Sequence, residues 1–194
     1  MFGLDEELLA WVPQPCVAVI ANVERLKKAE DKKLGDADLQ GSHFYMKQTN
    51  VLDNACGVIA CLHAIYNNQD KIGTITENSI LANHLAATKS LSPSERATAL
   101  ETNSSFQQAH RSVAGEGESK IPENQSEVRH HFIAFVVDSQ GRLLELDGTK
   151  VGPVVIAESC EDVLRGAAAE IRSRLASGAI SESLNLMTLI GSQN

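Results

Sequence analysis

A long apolar run that follows an Asn-Ala-Cys-Gly sequence constrains the fold of this chain more than any other feature. Residues 58–65 read VIACLHAI, a run too long and too rich in Ala, Leu and Ile for a typical strand, so it predicts a buried helix. Asp53 and Asn54 precede it, and their short side chains are suited to cap a helix N-terminus. Cys56 would then lie in the first turn, where free N–H groups and the helix dipole favour the thiolate, the reactive form of cysteine.

The residues around this helix start support two interpretations. Gln48 lies on the other side of a turn-prone loop, and its amide N–H would stabilise the oxyanion that forms when a thiolate attacks a carbonyl. Alternatively, Cys56 is a packing group, because free cysteine is among the most buried residue types. Cys61 lies deeper in the apolar run, where nothing favours its ionisation, and we interpret it as a core residue.

A second stretch, residues 128–147, predicts two strands joined by a hairpin turn. Apolar residues alternate on both faces of the first strand, which indicates a strand that is covered on both sides. The turn signal Ser139-Gln140-Gly141 leads into a second strand, Leu143–Leu146.

Histidines at the start of this hairpin and an aspartate at its end predict a proton-transfer pair. His130 and His131 begin the first strand and Asp147 follows the second, so a carboxylate and an imidazole can lie side by side. In that geometry the carboxylate orients the imidazole that takes the proton of a cysteine. Alternation places the two histidines on opposite faces, so only one can serve, and the pattern alone does not select it. A hydrogen-bonded core histidine is the alternative.

Four motifs in this order resemble those of the ubiquitin C-terminal hydrolases, the small cysteine peptidases of that name. The motifs are KQT, NACG followed by LHAI, HFIAF, and LELDG. Further likenesses extend over nearly the whole chain, at FGLDEELLAWVPQPCVAV, SLSPSERATALE, AHRSVAGEGES and LNLMTLI. The resemblance implies that Cys56 is the nucleophile, His131 the base, Asp147 its orienting carboxylate and Gln48 the oxyanion donor. It selects His131 over His130, and it implies neither a metal nor an organic cofactor.

The sequence departs from the family pattern in two places. The spacing from Gln48 to Cys56 is longer than the family's usual spacing. Family members usually carry a further stretch before the segment that starts here at Phe2, so we expect the chain to lack the family's N-terminal segment.

Residues 109–127 are a glycine-containing, glutamate-rich stretch without periodicity. The resemblance implies a crossover loop over the active site, although a disordered spacer has the same composition.

The net charge and the cysteine content indicate which classes of binding partner and which cellular compartment to expect. A net charge of −8 disfavours nucleic acid and anionic membranes as partners, because both need a basic protein surface. It suits the basic substrate tail that the resemblance implies. The four cysteines show no metal-binding or paired spacing, which indicates a reducing compartment with free thiols. With no secretory signal and no apolar run long enough to span a membrane, we expect a cytoplasmic monomer, with the nucleus as a further location.

The predicted elements give one domain over residues 1–194 with an α/β, or α+β layered, fold. The predicted strands are Cys16–Val23, residues 130–137, Leu143–Leu146, Val151–Ile156 and Leu184–Ile190. The predicted helices are Asp5–Trp11, the run after Cys56, Glu77–Thr88, residues 93–101, Ser105–His110 and Glu161–Ser177. We expect a central, mostly antiparallel sheet flanked by helices, with the papain-like cysteine-protease core of the family.

The implied function is a thiol-dependent deubiquitinating hydrolase that removes small adducts or short peptides from the C-terminal glycine of ubiquitin or a ubiquitin-like protein. Two alternatives remain open at this point. One is a non-catalytic ubiquitin-binding protein of the same fold, and the other is a papain-like thiol enzyme with another substrate.

Overall fold

A five-stranded antiparallel sheet with the strand order β4-β3-β2-β1-β5 forms the centre of the fold. The computed structural model describes residues 3–26, 35–48, 55–114 and 130–192. Its strands are β1 (Cys16–Arg25), β2 (His130–Val137), β3 (Leu143–Leu146), β4 (Val154–Ala157) and β5 (Ile180–Ile190). Its α-helices are α1 (Glu6–Leu9), α2 (Cys56–Tyr66), α3 (Ile80–Thr88), α4 (Pro93–Thr102), α5 (Ser104–Ala114) and α6 (Val163–Ala176). The predicted fold class, an antiparallel sheet flanked by helices, is confirmed.

The two faces of the sheet carry different helices because the apolar side chains of β1 and β2 point alternately to either side. One face packs against α6 and α1 through Val19, Ala21, Val23, Ile133, Phe135, Leu164, Ala168, Ile171 and Leu9. The other face packs against α2 through Ala18, Ile20, Ala134, Val136, Leu144, Leu146, Ala60 and Ala64. Strands buried on both sides account for the apolar runs in the sequence.

Helices α3 and α4 form a further layer on the outer side of α2. Ile59, Leu62 and Tyr66 of α2 belong to one buried cluster with Ala97 and Leu100 of α4. Helix α2 is therefore buried on two sides, which explains why its sequence is apolar almost throughout. No helix within the described residues is both long and apolar enough to cross a membrane.

The start of α4 follows the sequence signal closely. The backbone N–H of Glu95 donates to Oγ of Ser92 at 3.4 Å, and the N–H of Ser92 donates to Oε2 of Glu95 at 2.8 Å. Pro93 occupies the first helical position. These reciprocal bonds satisfy N–H groups that the first turn of a helix leaves free, so the predicted capping box is confirmed.

A buried ion network ties α6 to the sheet. Glu145 of β3 is fully buried, and its carboxylate contacts Nζ of Lys150 at 2.5 Å and a guanidinium nitrogen of Arg174. Arg174 reaches Glu170 as well, at 2.6 Å, and Lys150 is only 3% exposed. Because each buried charge has a partner of opposite sign, the network avoids the cost of an isolated charge in the interior.

Two local predictions are wrong. Ala55 occupies the N-cap position of α2 and makes no side-chain cap, whereas the proposed caps Asp53 and Asn54 lie outside the described residues. Helix α5 continues through Ala114, so residues 109–114 of the predicted loop are helical. The sequence contains no glycine or proline from α5 until Gly115, and nothing local therefore ends the helix earlier. The remainder of that predicted loop, residues 115–127, lies outside the described residues.

Candidate active site

Cys56 is the first residue of α2, and its side chain is half-buried at the end of the sheet where β2 begins. Backbone hydrogen bonds from Phe132 and Gly57 reach its sulfur. A methyl group added at Gly57 would contact the ring of Phe132 at 3.6 Å, so the aromatic side chain packs directly beside the start of the helix. The thiol is thus surrounded by donors from both the helix and the strand.

His131 joins the thiol to a buried carboxylate. Its Nε2 lies 2.7 Å from Oδ1 of Asp147, and its side chain is hydrogen-bonded to Cys56 as well. Since Nε2 faces the carboxylate, Nδ1 is the ring nitrogen left for the sulfur. The structure therefore brings Cys56, His131 and Asp147 together in one relay, the arrangement in which a carboxylate orients the imidazole of a thiol–imidazole pair.

His130, the alternative histidine, lies elsewhere. It is exposed, and its Nε2 lies 3.0 Å from Oγ of Ser183 on β5. The two adjacent histidines therefore have separate partners, and only His131 contacts the thiol and the carboxylate.

The electrostatics of the relay favour a charged thiolate–imidazolium pair. Burial acts to raise the pKa of Cys56, but the hydrogen bond to His131, the bond from Phe132 and the nearby imidazole together hold it below its usual value. For His131, burial acts to lower the pKa, yet the hydrogen bonds to Asp147 and Cys56 outweigh it and raise the pKa above its ordinary value. Both shifts favour transfer of the proton from sulfur to imidazole, and the thiolate that this transfer leaves is the nucleophilic form of cysteine.

Asp147 is ionised despite complete burial. Burial acts to raise its pKa, whereas the hydrogen bond to His131 and the positive charges on His131 and Arg25 hold the pKa well below its usual range. The N–H and the hydroxyl of Thr149 donate to Oδ1 at 3.0 and 2.8 Å, and Nη2 of Arg25 contacts Oδ2. Sequence reasoning missed both Thr149 and Arg25. Thr149 lies two residues after the aspartate, a spacing typical of side-chain turns, but Arg25 is distant in sequence and carried no local signal.

Gln48 lies on a segment that packs against the Asp147 turn. Its backbone N–H donates to the carbonyl of Gly148 at 2.9 Å, and the side chain is half-buried. Gly148 is so close to this segment that a Cβ at that position would lie 2.7 Å from the nitrogen of Gln48. The loop that continues from Gln48 to the nucleophile, residues 49–54, lies outside the described residues, so the longer spacing noted in the sequence falls there.

The remaining cysteine and histidine of α2 have packing roles. Cys61 is half-buried, and burial raises the pKa of its thiol, in line with the interpretation as a core residue. His63 is fully buried: its Nε2 accepts from the N–H of Met46 at 3.0 Å, and its ring stacks on Tyr45 with centroids 5.3 Å apart. His63 therefore fixes the approach of the segment that leads to Gln48, a role that the sequence interpretation did not assign.

Comparisons with known proteins place this arrangement in a family. The model of the family described as ubiquitin carboxyl-terminal hydrolase, family 1, matches residues 1–176. Human ubiquitin carboxyl-terminal hydrolase isozyme L1 is 37% identical over 177 residues, which cover 88% of this chain and 76% of that protein. A ubiquitin carboxyl-terminal hydrolase from Aplysia californica is 38% identical over 173 residues, which cover 88% and 79% of the two chains.

A solved structure agrees on the fold. The catalytic domain of Trichinella spiralis UCH37, bound to ubiquitin vinyl methyl ester, superposes with a TM-score of 0.72 at 22% identity. The superposition covers 99% of this chain and 83% of that one. The family match and the identity to these relatives confirm the resemblance noted in the sequence: the chain belongs to the ubiquitin carboxyl-terminal hydrolases of family 1, a family of cysteine-dependent hydrolases.

Proposed function

We propose that this chain cleaves small adducts or short peptides from the C-terminal glycine of ubiquitin or a ubiquitin-like protein. Thiol-dependent deubiquitinating hydrolysis is the activity of the family to which the chain belongs. Beyond this family activity, we propose the catalytic role of each residue and the identity of the substrates. One observation carries it: the thiol of Cys56, the imidazole of His131 and the buried carboxylate of Asp147 form a continuous hydrogen-bonded relay.

The relay supports acyl transfer in two steps. The thiolate of Cys56 attacks the carbonyl carbon of the glycine, and the imidazolium of His131 gives its proton to the leaving amine as the carbon–nitrogen bond breaks. A thioester to ubiquitin remains. His131 then takes a proton from water, the hydroxide attacks the thioester, and the carboxyl terminus of ubiquitin leaves as the thiolate is restored. Asp147 keeps the ring oriented throughout and stabilises its charged form.

Donors at the start of α2 and on the preceding segment would hold the oxyanion. The backbone N–H of Cys56 belongs to the first turn of the helix, where no intrahelical acceptor is available. Gln48 is the second proposed donor, through its side-chain amide, and its backbone is held beside the Asp147 turn by the bond to Gly148. Two preorganised donors of this kind lower the barrier because charge develops on the oxygen only in the transition state.

The preference for small leaving groups rests on the segment after α5. The resemblance implies a crossover loop in the part of the predicted stretch that follows Ala114, and such a loop would limit which leaving groups can reach Cys56. Lengthening it after Gly117 should admit bulkier leaving groups at little cost in stability, because the entropy of loop closure grows only logarithmically with length. Cleavage of a folded protein adduct should rise across a series of insertions, while equal rates for folded and small adducts would show that this segment is not the filter.

The remaining proposals concern partners and compartment. The chain acts as a monomer in the cytoplasm and the nucleus, within ubiquitin-dependent protein catabolism, and binds neither nucleic acid nor membrane. The net charge of −8 and the four free thiols of Cys16, Cys56, Cys61 and Cys160 support this. A basic tail on the substrate would be attracted by the same acidic balance.

The decisive experiment compares two cysteines of the same helix. Cys56→Ala should abolish release of a fluorophore from a C-terminal ubiquitin amide and still bind ubiquitin in a calorimetric titration. Cys61→Ala, a matched change five residues along α2, should retain turnover near the level of the unmodified chain. Activity that survives in Cys56→Ala would overturn the assignment. An unmodified chain that binds ubiquitin and releases no fluorophore would favour the non-catalytic alternative.

A further inference from the structure

Asp147 has a charged partner on the side opposite to His131. Its Oδ1 accepts from His131 and Thr149, whereas its Oδ2 faces the guanidinium of Arg25, whose Nη2 is in contact with it. The aspartate side chain is fully buried, and that of Arg25 is 23% exposed. A carboxylate held from both oxygens cannot rotate about its terminal bond without losing a charge-assisted hydrogen bond.

The backbone places Arg25 at this position. Arg25 is the last residue of β1, immediately after the pairs Val23↔His131 and Glu24↔His130 with β2. On its other side, the pairing with β5 shifts register between Val23 and Arg25, which pairs with Ile180. Irregular pairing of this kind bends a strand and changes the direction of a side chain, and it is common beside active sites.

The charge on Arg25 acts on the imidazole as well as on the carboxylate. Among the effects on the pKa of His131, burial lowers it, the bond to Asp147 raises it, and the charge on Arg25 lowers it. Arg25 therefore offsets part of the stabilisation that Asp147 gives to the imidazolium. Among the residues that the structure describes, the other titratable or charged groups that face this pair are Cys56 and His63 from α2, and Tyr45 and Lys47 from the segment before it.

We propose that Arg25 is a positioning residue for catalysis, which holds Oδ2 of Asp147 so that Oδ1 faces His131, and whose charge sets the alkaline limit of activity. This inference rests on the roles proposed above for Cys56, His131 and Asp147. An imidazolium that is stabilised too strongly is a poor acid toward the leaving amine, and Arg25 limits that stabilisation.

The test compares substitutions of Arg25 with a matched substitution of Arg142. Arg142 is 17% exposed and pairs with the nearly buried Asp138 at 2.8 Å, at the far end of the β2–β3 hairpin. Arg25→Met should lower kcat/KM on the order of tenfold to a hundredfold, as expected when a catalytic group is misplaced by about 1 Å. It should also move the alkaline limb of the pH profile to higher pH, because the removed positive charge no longer lowers the pKa of His131. Arg25→Lys should restore the position of that limb, and Arg142→Met should leave it unchanged.

A double-substitution cycle separates an effect through Asp147 from general loss of structure. If Arg25 acts through the carboxylate, adding Arg25→Met to Asp147→Asn should cost little beyond Asp147→Asn alone. Preferential alkylation of Cys56 over Cys61 by iodoacetamide, located by mass spectrometry, checks in each variant that the site is folded, because an unfolded chain would expose both thiols.

Additive losses, or an alkaline limb in Arg25→Met that matches the unmodified chain, would overturn the inference about Arg25. Turnover that survives in Cys56→Ala would instead overturn the proposed function, so the two failures are distinguishable.

Discussion

The backbone N–H of Gln48 donates to the carbonyl of Gly148 at 2.9 Å, which joins the proposed oxyanion donor to the residue after Asp147. The contact is close because Gly148 has no side chain. A Cβ there would lie 2.7 Å from the nitrogen of Gln48 and 3.0 Å from the carbonyl oxygen of Met46. One backbone contact thus joins the segment that carries the orienting carboxylate to the segment that carries the proposed oxyanion donor.

Gly148→Ala should therefore reduce turnover by separating these two groups. The new methyl group would clash with backbone atoms, and a displacement of about 1 Å can cost roughly a hundredfold in rate. Gly41→Ala is the matched control, since a Cβ at Gly41 meets nothing within 4 Å. Steady-state kinetics with a C-terminal ubiquitin amide compare the two, and equal kcat values for both variants would contradict the prediction.

Substitution of the two adjacent histidines of β2 should have very different effects on kcat/KM. His131→Ala removes the base and should lower kcat/KM by at least about three orders of magnitude, the scale seen when one member of a triad is lost. His130→Ala removes an exposed ring that lies beside Ser183 and should leave kcat/KM within about twofold of the unmodified chain, as is usual for surface changes. The reverse result would mean that the register of β2 is shifted by one residue.

His63 should make the fold sensitive to mild acid. Complete burial lowers its pKa to about 4, so the folded chain holds the ring neutral where the unfolded chain protonates it. A depressed pKa of this kind means that stability is fully present above about pH 6.5, is lost as pH falls, and reaches a deficit of about 3 kcal/mol near pH 4. Burial lowers the pKa of His84 as well, which adds to the loss in the same direction.

Chemical denaturation across this pH range measures the effect. His63→Gln should flatten the decline, whereas Leu62→Ala, a change at the neighbouring buried residue, should lower stability by a similar amount at every pH. Parallel curves for His63→Gln and the unmodified chain would show that another group is responsible.

Replacement of Glu145, the carboxylate at the centre of the buried ion network, should destabilise the protein strongly. Glu145→Gln leaves Lys150 and Arg174 without the charge that both contact, and breaking such a buried pair costs about 3–5 kcal/mol. Glu6→Gln breaks an ion pair with Arg165 in which both side chains are more than half exposed, and the melting temperature should not change measurably. Similar melting temperatures for the two variants would contradict this difference.

Local signals in the sequence predicted local structure well. The capping box of Ser92 and Glu95 depends only on residues three apart, and it is present as predicted. The hairpin turn before β3 is equally local, and Gly141 adopts the positive φ of 78° that such a turn requires. The strand Leu143–Leu146 has the predicted bounds.

The geometry of the site depended on contacts that no local pattern encodes. On β2, the face directed at α2 carries Phe132 and Ala134, and alternation places His130 on that side and His131 on the other. Yet His131 is the one bonded to Cys56, because the thiol and the imidazole meet at the end of the sheet where β2 and α2 both begin. Family resemblance selected it, and periodicity alone does not. Arg25 escaped prediction because its partner Asp147 is 122 residues away in the chain.

The strand order of the sheet has a consequence for how the protein folds. Strand β1 lies between two late strands, with Cys16 paired to Ile190 and Glu24 paired to His130. Such distant pairings close long loops before they gain contacts, and they form slowly compared with a helix. The helix that carries Cys56 is a local structure, but the imidazole that ionises the thiol comes with β2. The thiol therefore acquires its nucleophilic character only when β2 joins α2, and the recovery of hydrolysis during refolding measures the time at which this long-range contact forms.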